Sequence, residues 1–475
     1  GRAIDLLAYE EAVRLYELAF KALGPQSAAT ARRRCELLLA LANAKGRAGD
    51  SPGAKASFLE AAELARSAGL PEALGRAAVG YGGRFLWDRA MSDERLVPLL
   101  QDALAALGDV DSTLRVQLLS RLSAALRGEP SREHRERISE EAVETARRIG
   151  DPAAVAYALD AAEAALHAPH NAQVRLDEAR EIVSLATATG DRERLFDGHE
   201  HAFWAAWELG DPGVREVELR SMAHAGEQLR QPAQLWILTV TRATLALAEG
   251  RFAEVERLIE EAATVGERAQ SRTAAAVAHT LPLFLLRREQ GRLAESERQI
   301  LGPGHEFSGP LVRGSVLAHI HARLERTDEA RAALDELMSR DLSDWHLDEE
   351  WLLGICLLAE TCVLLEDAEH AAPLYQLLLP YASLNAIAVP QLALGSTSRP
   401  LGMLAALLSR LEAAERHFEE ALRMDERMGA RPWLAHTQEE FGRMLLRRDN
   451  GEDRERAEQL QSQADAAYRE LGMRV

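Results

Sequence analysis

The chain has 475 residues, a net charge of −19 and only 5% aromatic residues. An acidic body repels phosphate backbones, which argues against direct nucleic-acid binding, and no uncharged apolar run reaches the ~18 to 20 residues that a membrane span needs. Cys35, Cys356 and Cys362 form no pairing framework and read as reduced, buried thiols of a cytoplasmic protein.

Alanine, leucine, glutamate and arginine dominate, a helix-forming composition without extended strand-like runs of valine, isoleucine and threonine. Lys21, Lys45 and Lys55 are the only lysines, an arginine bias that reads as the codon usage of a high-GC bacterial genome. The chain opens Gly1-Arg2-Ala3-Ile4-Asp5, with no apolar core of a signal peptide, and starts inside a helical pattern without a methionine. We expect a segment of a longer protein.

Taken in order, the elements repeat. Arg47-Ala48-Gly49-Asp50-Ser51-Pro52 is a turn followed by a helix start, with Phe58 and Ala61 on the face that follows. Ala68-Gly69, Ile149-Gly150-Asp151 and Thr189-Gly190-Asp191 link successive units. Leu209-Gly210-Asp211, Glu249-Gly250-Arg251-Phe252 and Gln290-Gly291-Arg292-Leu293 repeat the internal turn, and Arg230-Gln231-Pro232 and Met428-Gly429-Ala430 repeat the link. Weaker copies lie at Glu325-Arg326, Glu366-Asp367, Ser409-Arg410-Leu411 and Asp449-Asn450. The period is about forty residues. Glycine takes the left-handed conformation that closes a helix, and Asp, Ser or Pro starts the next one. The pattern predicts an all-α, right-handed solenoid of tetratricopeptide-like helix hairpins, with about 11 to 12 repeats stacked because no hairpin can bury its apolar face alone. A single superhelix over residues 1–475 is expected, with possible sub-halves 1–190 and 191–475. At most one short strand pair is compatible with that architecture.

The recurring small–large–turn–Ala–aromatic–Ala string resembles the tetratricopeptide motif. Leu7-Ala8-Tyr9-Glu10-Glu11-Ala12, Gly80-Tyr81-Gly82-Gly83-Arg84-Phe85, Leu229-Arg230-Gln231-Pro232 and Glu426-Arg427-Met428-Gly429-Ala430-Arg431-Pro432-Trp433 are similar to the helical-repeat region of MalT-like, LuxR-type ATPase regulators and related cyclase–ATPase fusions. That resemblance implies a sensor arm joined to an upstream signalling ATPase, with an output domain elsewhere in the parent chain.

Chemistry-bearing motifs are sparse. There is no Gly-x-x-x-x-Gly-Lys-Ser/Thr, so no nucleotide cradle is expected. Gly80-Tyr81-Gly82-Gly83-Arg84 follows no strand and reads as close helix packing or a break in helix geometry, although Tyr81, Arg84 and Trp87 could project into a groove. The pairs His167/His170, His199/His201 and His319/His321 lack the four-residue spacing of a zinc helix. No nucleophile elbow or cysteine–histidine signature stands out. Neither a metal nor a cofactor is expected, nor an enzyme.

Helical spacing counted from the turn residues assigns the positions that face the superhelix interior. They are Asp197, Glu200, Trp204 and Trp207 in one unit, His319 in another, Ser396, Arg399 and Met403 in the unit turning at Ser409, and His436, Glu439 and Arg443 in the last. Trp204 and Trp207, three apart beside carboxylates, form either a recognition platform or inter-helix filling. The functional expectation is a non-catalytic sensor and interaction module that binds a small effector or partner protein in its concave groove. The alternatives are a constitutive assembly scaffold and, third, an enzyme site built across repeats. A compact polar pocket favours the sensor; a long open groove favours the scaffold.

Overall fold

In the computed structural model, the described residues are 8–23, 30–83, 93–128, 132–269, 272–300, 309–340, 345, 347–448, 451 and 453–474. They form 23 α-helices and one two-stranded antiparallel hairpin. The chain is an all-α solenoid of stacked helix hairpins.

The punctuation read from the sequence is the punctuation of the fold. Gly49, Gly69, Gly150, Gly190, Gly210, Gly250, Gly291 and Gly429 all take positive φ. The glycine-free copies keep the same geometry: Arg230, Glu325, Glu366 and Ser409 are the non-glycine residues with positive φ among those described. At each internal turn the next residue's N–H reaches back to close the helix, as in Asp211 N to Ala206 O at 2.8 Å and Arg410 N to Ala405 O at 2.8 Å. The following helix is then capped, with the Asp50 carboxylate accepting from Gly53 N and Asp211 from Val214 N. Pro52, Pro152, Pro212 and Pro232 occupy first-turn positions, where a missing N–H costs nothing.

The two helices of a unit differ in burial. First helices such as Arg192–Glu208 and Pro232–Ala248 are covered on nearly every side. Second helices such as Pro212–Leu229 expose a polar face and bury a narrow stripe at Met222, Ala225, Gly226 and Leu229. A regular solenoid contacts only sequence neighbours. Here distant units also touch: Tyr9 Oη donates to Leu229 O across 220 residues, and Arg127 pairs with Glu349 across 222. Arg47 meets Glu193, and Arg474 N donates to Glu289 O. Successive turns of the superhelix are therefore in contact, and the interior faces of the first helices are closed over.

The strand pair Asn385–Ala388 and Leu392–Ser396 fills part of that interior. Every residue in both strands is buried. The register runs Asn385↔Ser396, Ile387↔Ala393 and Ala388↔Leu392, with an irregularity between Asn385 and Ile387. Asn385 Nδ2 donates to Trp207 O at 2.7 Å, and Gln391 Nε2 donates to Glu350 at 3.1 Å. Ser396 is thus at the end of a strand, which corrects its assignment to a helix face. Pro390 and Gly395, the latter at φ 75°, do not fit a continuous helix, so the helix of this unit is only Ser398–Leu407.

Candidate functional site

Of the positions singled out in the sequence, Arg84 and Trp87 lie outside the described residues. Tyr81 ends the helix Pro71–Tyr81 and is buried; its hydroxyl donates to the Asp93 carboxylate at 2.7 Å. Burial, aided by Asp93, pushes its phenol well above the usual range. A Cβ on Gly80 would run into the Phe58 ring, so the glycine segment serves close packing as expected.

Trp204 and Trp207 are 1% and 3% exposed, so the solvent-accessible platform does not exist. Their rings stack on each other at 5.6 Å, and Phe203 meets both edge-on. Arg215 lies over Trp207 at 4.8 Å. The spacing did place both indoles inward. What it could not show is that the strand pair and the neighbouring superhelical turn cover the inward face.

Two buried ionic clusters occupy the interior instead. The first is built on Pro152–Leu166, Ala172–Thr189 and Arg192–Glu208. His201 Nε2 bonds Asp160 at 2.7 Å, and His167 Nδ1 bonds Glu163 at 3.0 Å. Arg175 pairs with Glu163 and Glu208, and Arg194 with Asp160 and Asp197. Burial raises Glu163, but His201, His167 and Arg175 outweigh it and hold the carboxyl below its ordinary value. Glu200 is only 1% exposed and its Oε1 meets no partner; burial, reinforced by Asp197 and Glu163, pushes it up to about 8.

The second cluster gathers five of the predicted residues, His319, Arg399, His436, Glu439 and Arg443, into one chain of contacts. At its centre is Glu360, the sole charged side chain of the apolar helix Trp351–Leu364. Arg399 pairs with Glu360, and Arg288 Nη1 reaches it at 3.2 Å. Arg288 Nε also donates to Glu289 at 2.8 Å, and His436 Nε2 meets Glu289 at 2.7 Å. His436 Nδ1 lies 3.1 Å from the Tyr468 hydroxyl, which donates to Glu439 at 2.7 Å; Arg443 closes the series on Glu439 and Glu440. The Trp433 ring stacks against Arg288 at 5.0 Å. Beside this, Asp425 accepts from Ser396 N and Thr437 Oγ1.

Burial pushes the carboxyls of this cluster up, but the cations prevail at both glutamates. Arg399 and Arg288 hold Glu360 below its usual range, and His436 and Arg288 hold Glu289 at about 2. Asp425, with weaker help, is raised to about 6 by burial. His319 is fully buried and driven down to about 3 by desolvation, with Arg288, Arg323 and Arg399 adding to the effect against Glu360. Neither ring nitrogen of His319 has a hydrogen-bond partner, and the Nε atoms of Arg323 and Arg399 also lack one.

Sequence reasoning missed Arg288, Glu289, Arg323, Glu360 and Tyr468. One signal was available: a single glutamate in an otherwise uncharged fourteen-residue helix must meet a cation if that helix is buried. Among the described residues no group of His, Cys, Asp and Glu has the arrangement to hold a metal ion, and no helix is long and apolar enough to cross a membrane. The three cysteines are buried free thiols.

No protein-family profile matches the chain, and no curated protein matches it. Among solved structures, it is similar to a chain in the crystal structure of the APC/C hetero-tetramer Cut9-Hcn1, at 12% identity and a TM-score of 0.42 over 99% of this chain and 94% of that one. It is also similar to a circular tandem repeat protein of novel repeat topology, at 16% identity and a TM-score of 0.13 over 98% and 89%.

Proposed function

We propose that the chain is a non-catalytic sensor and protein-interaction module that takes a small effector at the second ionic cluster. One observation carries the reading. Inward side chains from five first helices converge on Glu360 and Glu289, yet His319 and Arg323 are left with buried donor atoms unused. Buried polar groups are normally satisfied, so each exception calls for an explanation, a bound ion or water among them. The cluster also joins distant units, since His436 and Glu289 are 147 residues apart. Occupancy there biases how one superhelical turn sits on the next, provided the effector's affinity differs between the two arrangements. The likeness to regulator sensor arms supplies the context: an ATPase upstream in the parent chain, responding to that change.

The test is a native mass spectrum of freshly purified protein, with small-angle scattering before and after removal of whatever is retained. A retained small molecule whose loss changes the scattering profile is the expected result. A clean apo mass, with a profile insensitive to candidate ligands, sinks the sensor reading.

A second reading, a protein-assembly scaffold, is favoured by a different feature. A cleft of about 560 Å³ runs between the N-terminal unit and the helices from Pro212 to Ala269, lined by Leu235, Leu238 and Val265 with three acids, Glu10, Glu227 and Glu261, against one base, Arg242. Its apolar floor and acidic rim suit a basic amphipathic helix. Binding of such peptides, abolished by Leu235→Glu at an exposed position of the cleft, is its test.

A further inference from the structure

We infer that the effector of the second cluster is a small oxyanion, a carboxylate or a phosphate, held between Arg323 and His319. The inference rests on the sensor reading above and narrows it to one ligand chemistry.

Arg323 and His319 are four residues apart on the helix Pro310–Arg323 and so share one face. His319 is fully buried, whereas Arg323, one turn later at the helix end, is only partly covered. The pair therefore leads from the surface inward. Each of the other guanidiniums has a carboxylate: Arg288 has Glu289 and Glu360, and Arg399 has Glu360. Among the described residues Arg323 has none. The remaining acids nearby are engaged elsewhere. Glu289 is taken by Arg288 and His436, Asp425 by Ser396 N and Thr437, and Glu439 and Glu440 by Arg443. Glu360 comes no closer to His319 than 3.9 Å, beyond hydrogen-bonding reach.

The missing partner thus has a definite character. The unused groups are guanidinium N–H donors and an imidazole, which in its neutral form carries one further N–H. Burial is the main influence lowering both Arg323 and His319; Arg288 and Arg399 lower Arg323 further against Glu360 and Glu289, and all three arginines lower His319 against Glu360, so burial and neighbouring cations both disfavour unmatched positive charge at this point. An oxyanion with two oxygens relieves that repulsion. One oxygen accepts from the Arg323 fork, the other from the His319 ring N–H, and charge-assisted bonds of this kind are the strong ones. A cation would meet three guanidiniums, and a neutral polyol would leave Arg323 without a counter-charge.

The inference is tested on the full chain by calorimetry and thermal melting with acetate, succinate and inorganic phosphate, each against chloride at matched ionic strength. Saturable binding of at least one oxyanion is expected, with a rise in melting temperature. Arg323→Gln, a change at a partly exposed position, is expected to weaken that binding about tenfold or more. Arg313→Gln, on the exposed face of the same helix, serves as the surface-charge control. His319→Gln is checked for native helicity by circular dichroism and is likewise expected to lose affinity; because it alters a buried side chain, Arg323→Gln decides. The carboxylate and phosphate arms identify the anion. No saturable binding at about 10 mM of any of the three, or equal binding by the parent and Arg323→Gln, overturns the proposal. A neutral molecule retained in the native mass spectrum overturns it too, while leaving the sensor reading standing.

Discussion

The two buried clusters use the same residue types to opposite effect. The first sets Asp160, Glu163, Asp197, Glu200 and Glu208 against Arg175 and Arg194, with His167 and His201 between them. The second sets Arg288, Arg323 and Arg399 around Glu360 and Glu289. Surplus acid inside a protein has a simple remedy, because a carboxylate takes up a proton, and Glu200 does so. Surplus guanidinium has none, because arginine does not deprotonate. The acid-rich cluster is built by three consecutive helices, and the carboxyl it leaves over, Glu200, can be neutralised by a proton. The arginine-rich one keeps an unmet demand for negative charge and draws its members from units far apart.

Removing the central charge from each cluster tests the contrast most strongly. Glu360→Leu leaves Arg399 without its carboxylate and Arg288 with Glu289 alone, and a loss of about 3 to 5 kcal/mol is expected in urea unfolding, little relieved at any pH. Arg175→Met leaves Glu208 without its paired arginine and Glu163 with His167 and His201 alone, and a carboxylate, unlike a guanidinium, can take up a proton. Its penalty should therefore shrink as pH falls, because a buried acid whose folded pKa is raised loses less stability below that value. Equal pH dependence in the two variants would remove the distinction.

Trp207 sits between these regions, packed on Trp204 and Phe203 while its carbonyl accepts from Asn385 of the strand pair. As a core residue, Trp207→Ala should cost about 3 to 5 kcal/mol. A folded Trp207→Ala protein of near-parental melting temperature would show that the stacked indole contributes little to the core.

Glu200 gives a finer measure. Its folded pKa of about 8 lies above the ordinary 4.5, so its full contribution is present below 4.5 and is lost as pH rises towards 8. Glu200→Gln should match the parent at low pH and become the more stable protein across that window, by up to about 1.4 kcal/mol per pH unit. Parallel stability–pH curves would mean that the carboxyl meets a partner in solution.

The smallest effect is expected at the rim of the arginine-rich cluster. Arg443 is paired with Glu439 and Glu440, but its side chain is 53% exposed. Arg443→Ala should change stability by less than about 1 kcal/mol. A larger loss would extend the coupled network from Glu360 out to the surface.

Local rules were sufficient to read every described turn singled out in the sequence, including the four where Arg230, Glu325, Glu366 and Ser409 replace glycine. Helix ends are decided within about six residues by capping and backbone conformation, and such information lies in consecutive letters. Of the positions the same spacing places inward, Trp204, Trp207, His319, Arg399 and His436 are buried, while Arg443 is 53% exposed. The spacing failed at Ser396, where Pro390 and Gly395 end the helical pattern and a strand pair takes over. Only the tertiary structure decided what the interior positions meet. Glu289 with His436, Trp207 with Asn385, and Arg127 with Glu349 pair across 147, 178 and 222 residues. Whether an inward residue lines an open groove or lies in a closed interior depends on the superhelical rise accumulated over several hairpins. Small rotations at each unit interface add up to set that rise, and no short stretch of sequence records their sum.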